Sequence, residues 1–369
     1  MPVNSTKWHC VKYYRSAQSI PSSRHLLMRM KSKRSLSLKV SYWLKQQRRR
    51  RACMITTVTL NPAIDKIIEI RGLTVGQVHR AQRQVVTLGG KSINVARIIS
   101  SLNEATKAIC FAGRDNFEGI KNHAEADGIP IDAILVSGST RTNVKIVEPD
   151  QNYRTTDINE IGFKVTDDER EAMTAKILEA GENSEYVVLS GSLPEGIPNR
   201  YYREIAEKLK GVTKVIIDAD DRILLESLKG SPYLIKPNIH ELEAALDMKL
   251  ESKESIVHAC KKVIDDYGVN YVLVSMGEEG SILVSERYAL SAGILPLKVV
   301  STVGAGDAML AGFIYGLKTH QDCDELDCLI KALSYGVASS SIAISTQSHM
   351  PIEALTLTVR AKEVAISRL

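Results

Sequence analysis

Val299-Val300-Ser301-Thr302-Val303-Gly304-Ala305-Gly306-Asp307-Ala308-Met309-Leu310-Ala311-Gly312-Phe313 runs from an apolar strand end, through Gly-Ala-Gly-Asp, into an apolar helix. Glycines at such a junction let the backbone turn tightly and approach a ligand. The N–H groups of Ala305, Gly306 and Asp307 open a helix whose N-terminus carries partial positive charge and suits an anion. Asp307 has two available jobs. It can cap the helix, worth about 1 kcal/mol, or it can stand beside a bound anion as a base.

Working outward, the same strand-then-helix order recurs. Ala108–Phe111 precedes a helical stretch over 116–127, and Tyr186–Leu189 ends in the turn Ser190-Gly191-Ser192-Leu193-Pro194. A helix over 199–209, a strand over 214–218, a helix over 222–228, and strands over 233–236 and 271–275 follow. Short apolar strands separated by helices predict an α/β fold: a mostly parallel sheet covered on both faces. Ligands of such sheets sit at the carboxyl ends of the strands, where these turns lie. Residues 65–88 and 141–159 break the pattern with alternating segments such as Thr142-Asn143-Val144-Lys145-Ile146-Val147. They read as strands of a second, smaller sheet that forms a lid.

Lys236-Pro237-Asn238-Ile239-His240-Glu241 puts Asn238 and Glu241 on one helix face. The pair is either a capping box or a polar pair facing a metal–phosphate complex. Val274-Ser275-Met276-Gly277-Glu278-Glu279-Gly280 is a strand running into a glycine turn, weak alone. Leu88-Gly89-Gly90-Lys91-Ser92 imitates the end of a P-loop, but that motif needs a glycine where Val85 stands.

The net charge of +5 comes from one end of the chain. Residues 1–53 hold 14 of the 48 Lys and Arg and no acid, leaving 34 basic against 43 acidic residues in 54–369, a net of −9. A nucleic-acid role would therefore rest on the tail alone. Three readings of the tail stand side by side: translation from upstream of a start at Met54, a disordered basic extension, and a targeting segment. None makes it part of the fold. Cys10, Cys53, Cys110, Cys260, Cys323 and Cys328 are scattered without metal-ligand spacing, as in free thiols of a reducing, cytoplasmic setting. No run of about 18 apolar residues predicts a membrane span.

Taken together, these stretches resemble the PfkB carbohydrate kinases, the ribokinase-like fold. Gly304–Asp307 resembles that family's second signature, Leu88–Ala96 its first, and Lys236-Pro237-Asn238 with Glu241 a third match, from Met54 nearly to Leu369. Within the family, Thr59-Leu60-Asn61-Pro62-Ala63-Ile64-Asp65 and Thr140-Arg141-Thr142-Asn143-Val144-Lys145 are most similar to bacterial 1-phosphofructokinases, with tagatose-6-phosphate kinases as close siblings.

The resemblance implies phosphoryl transfer from ATP, with Mg²⁺, to a ketohexose phosphate. It implies Asp307 as base and Gly304, Ala305 and Gly306 around the transferred group. On the sugar side it implies Asp65, Gly89, Gly90, Lys91 (toward the sugar phosphate), Asn94, Ser190 and Gly191. Arg141, Asn143 and Lys145 share one lid face, with Arg80 and Arg154 as further cations. On the nucleotide side it implies Lys236, Asn238, Glu241, Ser275, Gly277 and Gly280, Glu241 reaching Mg²⁺ through water. Open lid edges predict a homodimer. An inactive sugar-phosphate-binding regulator is the alternative of another class. Four departures stand out. Ser92, itself a good N-cap residue, replaces a common glycine, Ala308 a common serine, and Asp218-Ala219-Asp220-Asp221 a run of small hydroxyl residues. Thr346–Met350 lacks a glycine, which puts a monovalent-cation site in doubt.

Overall fold

The computed structural model of the chain describes residues 54–151, 154–300, 302–346 and 351–369. The basic tail over 1–53, Ser301, the 347–350 part of the late loop and the side chain of Asp221 lie outside the described residues.

The first strand, β1 (Met54–Thr59), is followed by β2 (Ala63–Glu69), β3 (Arg83–Gly89), helix α1 (Lys91–Ser101), β4 (Thr106–Gly113), α2 (Phe117–Ala126) and β5 (Ile131–Val136). Next come β6 (Arg141–Glu148), β7 (Arg154–Asn159), α3 (Asp167–Gly181), β8 (Ser184–Ser190), α4 (Tyr201–Leu209), β9 (Lys214–Asp218), α5 (Asp221–Leu228) and β10 (Leu234–Ile235). The rest is α6 (Ile239–Leu246), α7 (Lys253–Tyr267), β11 (Tyr271–Ser275), β12 (Ser281–Ser285), β13 (Ala289–Ala292), α8 (Ala305–Thr319), α9 (Glu325–Ser345), α10 (Ala354–Ala361) and β14 (Ile366–Arg368).

The large sheet has the order β14-β13-β12-β11-β10-β9-β8-β1-β4-β5. From β5 to β11 every pairing is parallel. The sequence reading did not anticipate the last three strands, which pair antiparallel. The connections from β11 to β13 are short turns, too short for the crossover that a parallel neighbour requires. Alternate residues enter opposite cores. Val58, Val187, Leu189 and Ile217 pack with α3–α7, while Ile55, Tyr186, Val188 and Ile216 pack with α1 and α8–α10. Burial of both strand faces is what near-continuous Val/Ile/Leu runs demand. Two boundaries shift by local chemistry: α4 begins at Tyr201 because Pro198 opens a turn (Tyr201 N–H to Pro198 C=O, 2.9 Å). β10 shrinks to two residues ahead of Pro237.

After β1 the chain passes through β2 and β3 before reaching α1 on one face, and after β8 it reaches α4 on the other. The adjacent ends of β1 and β8 therefore open a crevice, the usual ligand position in such sheets. The small sheet, in the order β3-β2-β6-β7, is fed from this end. Its β2–β6 pair is parallel and its outer pairs are antiparallel.

Helix α9 is long and apolar enough to cross a membrane, yet 61% of that window is buried inside the molecule, as in a core helix. It crosses α8 closely. A Cβ on Gly312 would lie 2.4 Å from the Tyr335 carbonyl oxygen, and one on Gly316 2.7 Å from Ala332 Cα. Cys110, Cys260, Cys323 and Cys328 are free thiols. Gly312→Ala should therefore cost about 1–3 kcal/mol through overpacking. Calorimetry should show a lower Tm, and an unchanged Tm would refute the contact.

Candidate active site

Helix α8 starts at Ala305 with Gly304 as its N-cap, in the left-handed conformation at φ 76°. Asp307 makes no capping hydrogen bond, so the capping role left open by the sequence is not the one adopted. Its side chain turns inward and is 7% exposed. Asn94 Nδ2, from α1, donates to Asp307 Oδ2 at 2.7 Å. Burial, together with the Asp218 carboxylate, pushes the Asp307 carboxyl up to about 6, against the pull of Asn94, Lys236 and Lys91. A buried carboxylate titrating there suits general-base work near neutral pH.

Lys236 follows β10 and is buried, its Nζ 3.3 Å from Asp218 Oδ2. A Cβ on Gly306 would meet that Nζ at 3.2 Å. The absence of a side chain at Gly306 thus brings an ammonium against the opening of α8. A helix N-terminus with a lysine beside it is an anion cradle. Asp218, at the end of β9, is 1% exposed, and neither carboxylate oxygen has a hydrogen-bond partner.

The resemblance pointed Lys91 toward a sugar phosphate. The structure turns it to carboxylates: Asp220 Oδ1 at 2.6 Å, Asp218 Oδ1 at 3.6 Å and Glu241 Oε1 at 3.8 Å. Although burial pulls it down, these carboxylates hold Lys91 above the ordinary lysine range. Burial likewise pushes Asp220 up, but Lys91 outweighs it and holds Asp220 low. Asn238 and Glu241 do form the capping box: Glu241 N–H donates to Asn238 Oδ1 at 2.9 Å and Asn238 N–H to Glu241 Oε2 at 2.8 Å. The box uses one Glu241 oxygen and leaves Oε1 facing the cluster, so the two readings of this pair are compatible. Burial pushes Glu241 above the usual range, against the Asn238 N–H and Lys91.

At the other wall, Gly90 is the N-cap of α1 at φ 134°, where a Cβ would lie 2.8 Å from Thr59 Cγ2. Ser92, considered as a cap, is instead one position inside the helix, fully buried, its hydroxyl 3.4 Å from the Val188 carbonyl. Gly89 makes room for Asp65, whose Oδ2 would lie 2.2 Å from a Cβ there. Asn143 donates to Asp65 Oδ1 at 3.0 Å. Asn61 Oδ1, Asn143 Oδ1 and Ser190 Oγ are buried without a hydrogen-bond partner. Orphaned polar atoms around one crevice mark places where a polyhydroxy ligand would bond. Gly191, at φ 95°, hangs from Asp218 C=O by its N–H at 3.0 Å.

The lid cations are already engaged. Arg154 grips the buried Glu148 with two hydrogen bonds of 2.7 and 2.8 Å, Lys145 pairs with Asp157 at 3.0 Å, and Arg141 donates to the carbonyls of Asn61, Pro62 and Glu160. Arg80 is exposed on the loop joining β2 to β3. Of the residues expected on the nucleotide side, Ser275 pairs with Asn238 across an isolated bridge and Gly277 borders open space at φ 58°. Gly280 has a packing reason of its own, since a Cβ there would lie 2.1 Å from the Ala292 carbonyl oxygen.

Four residues escaped assignment from sequence: Asn61, Arg97, Asp218 and Asp220. Asp218 carried a usable signal, a carboxylate closing an apolar strand. Arg97 stands three residues after Asn94, on the same helix face.

A family model for pfkB family carbohydrate kinases matches residues 58–354. The 1-phosphofructokinase of Bacillus subtilis is 34% identical over 289 residues, 78% of this chain and 91% of that protein. That of Escherichia coli K12 is 32% identical, over 80% and 95%. The crystal structure of phosphofructokinase-2 from Escherichia coli in complex with potassium superposes with a TM-score of 0.77 at 25% identity, over 84% of this chain and 99% of that one. With the glycine turn, the inward Asp307 and the small sheet in place, the chain belongs to the PfkB family of carbohydrate kinases, sugar kinases that transfer a phosphoryl group to an alcohol.

Proposed function

We propose that this kinase phosphorylates fructose 1-phosphate at its 6-hydroxyl, with ATP as donor, giving fructose 1,6-bisphosphate. The observation that carries the reading is the buried Asp307, held through one oxygen by Asn94 at the mouth of an anion cradle. Asp307 Oδ1 takes the proton of the acceptor hydroxyl. The first N–H groups of α8 and the Lys236 ammonium face the charge of the phosphoryl group in flight. Positioning and electrostatics dominate such transfers, and one preorganised donor can be worth about 3 kcal/mol of barrier. The sugar lies against Asp65, Asn143, Ser190, Gly89, Gly90 and Gly191. Asn238, Ser275 and Gly277 border the nucleotide.

The residues present suit Mg²⁺ held mainly by phosphates. Among the described residues no group of three His, Cys, Asp or Glu stands ready to hold a metal alone, whereas Glu241 Oε1 faces the cluster and can reach the ion through water. When bound, Mg²⁺ neutralises phosphate charge. Lys91, already amid Asp218, Asp220 and Glu241, keeps those carboxylates compensated. The free thiols suit a reducing, cytoplasmic setting.

Three outcomes check this reading. A coupled ADP-release assay with Mg-ATP should give a kcat/KM at least about tenfold higher for fructose 1-phosphate than for tagatose 6-phosphate or fructose 6-phosphate, a margin of about 1.4 kcal/mol. A preference for tagatose 6-phosphate would keep the mechanism and change the substrate. No turnover on any of the three, with ATP still bound, would favour a regulatory binding protein.

A base works only when deprotonated, so kcat/KM should fall as pH drops through about 6, where Asp307 gains a proton. Asp307→Asn should lose about 10²–10⁴ in kcat, lose that acid limb and still bind ATP by calorimetry. An active Asn variant would exclude Asp307 as base.

We also propose a homodimer through the lid. Strand β7 is exposed along its length and Ile158 on it is 57% exposed, an edge that invites pairing. Light scattering should give twice the chain mass, and a monomer at micromolar concentration would overturn it.

A further inference from the structure

Arg97 lies outside the crevice, yet two of its guanidinium nitrogens hold groups that shape it. It is 5% exposed. Nη1 donates to Asn94 Oδ1 at 2.6 Å, Nη2 to the Leu88 carbonyl at 2.6 Å and Nε to Asp127 Oδ2 at 2.9 Å. The three acceptors come from α1, β3 and the end of α2. Asn94 therefore receives a hydrogen bond on its oxygen from α1's own Arg97 and gives one from its nitrogen to Asp307 of α8.

An asparagine amide presents either end to a neighbour with little change of shape, and only its hydrogen-bond partners choose between them. A guanidinium can donate but cannot accept. Arg97 therefore forces the oxygen toward itself and the NH₂ toward Asp307. If the amide turned over, its oxygen would face a carboxylate oxygen. Two acceptors can meet only when a proton sits between them, so the reversed amide would favour protonated Asp307, the form unable to act as a base.

We propose that Arg97 is a positioning residue for the proton-transfer step, locking the Asn94 amide so that its NH₂ holds Asp307 Oδ2 and leaves Oδ1 free to take the proton. This rests on Asp307 being the base. The other groups facing Asp307 are Asp218 at the end of β9, Lys236 beyond β10, and Lys91 on α1; they contribute charge but do not touch the Asn94 oxygen. The same fork holds Leu88, just before Gly89 and Gly90, so the sugar-side turn and the base share one anchor.

The test uses the full chain and two variants. Arg97→Met, which removes every donor, is made alone and in an Asn94→Ala background. Folding is checked by circular dichroism and thermal unfolding. Asp307 is titrated directly by ¹³C-carboxyl NMR of aspartate-labelled protein without substrate, its signal identified by its loss in Asp307→Asn. Arg97→Met should move the Asp307 midpoint upward, and by much less in the Asn94→Ala background. With fructose 1-phosphate and Mg-ATP, the acid limb of kcat/KM should move with it. At neutral pH kcat should drop about ten- to a hundredfold, the scale on which outer-shell orienting groups act, while ATP affinity stays within about twofold.

An unmoved NMR midpoint in folded Arg97→Met overturns the proposal, whatever the assay shows. If Arg97→Met moves the midpoint equally in an Asn94→Ala background, the proposal is overturned as well, since charge alone would then account for the effect. A shifted midpoint with an active Asp307→Asn would instead sink the base assignment while leaving the Arg97–Asn94–Asp307 linkage in place. If Arg97→Met does not fold, Arg97→Gln, neutral and able to accept as well as donate, decides.

Discussion

A carboxylate that is to take a proton from an alcohol has to be shielded from water and still ionised. Burial alone would leave Asp307 protonated, because desolvation disfavours its charge. The structure resolves the conflict by surrounding it unequally. Asn94 donates to one oxygen, Lys236 and Lys91 supply positive charge nearby, and Asp218 pushes the other way. These groups sit on three elements, α1, β9 and the segment after β10, so the surroundings of Asp307 exist only when the sheet and helices are assembled. The left-handed Gly304 is what turns α8 so that Asp307 points inward.

The same balance governs the neighbouring charges. Lys91, Lys236, Asp218, Asp220 and Glu241 form a compact group in which each charge is compensated by its neighbours. Two lysines face three carboxylates there, so the group keeps a small excess of negative charge. On the lid, by contrast, cations are committed to internal partners: Arg154 to the buried Glu148, Lys145 to Asp157 and Arg141 to carbonyl groups. These bonds hold the lid strands in register. Lysine and arginine side chains carry more donors than these bonds use, so a direct role in binding a sugar phosphate would fall to the donors left over.

Much of this was legible beforehand, for identifiable reasons. Gly304-Ala305-Gly306-Asp307 could be read because a strand, a glycine turn and a helix leave distinct local signals, and burial of both sheet faces made each strand stand out as an apolar run. The antiparallel strands β12 and β13 were missed because a buried apolar run looks the same whichever direction its neighbour runs. Arg97 was missed because an arginine on a helix ordinarily reaches water. Only the closeness of β3 and α2 makes a buried fork possible. Ser92 has the chemistry of a cap but does not serve as one, because capping depends on where the helix begins, and Gly90 at φ 134° fixes that start two residues earlier.

By itself the sequence determined the fold class, the presence of a lid and the residue types at the glycine turns, since periodicity, turn chemistry and Gly-X-Gly-Asp spacing are properties of neighbouring residues. The tertiary structure decided what those residues do to one another. Whether Asp307 caps its helix or points inward, which way the Asn94 amide faces, and which charge Lys91 meets depend on groups 213, 3 and 129 positions away in the chain. Most of these partners are remote in sequence, and hydrogen-bond geometry and local dielectric are fixed only when the elements pack.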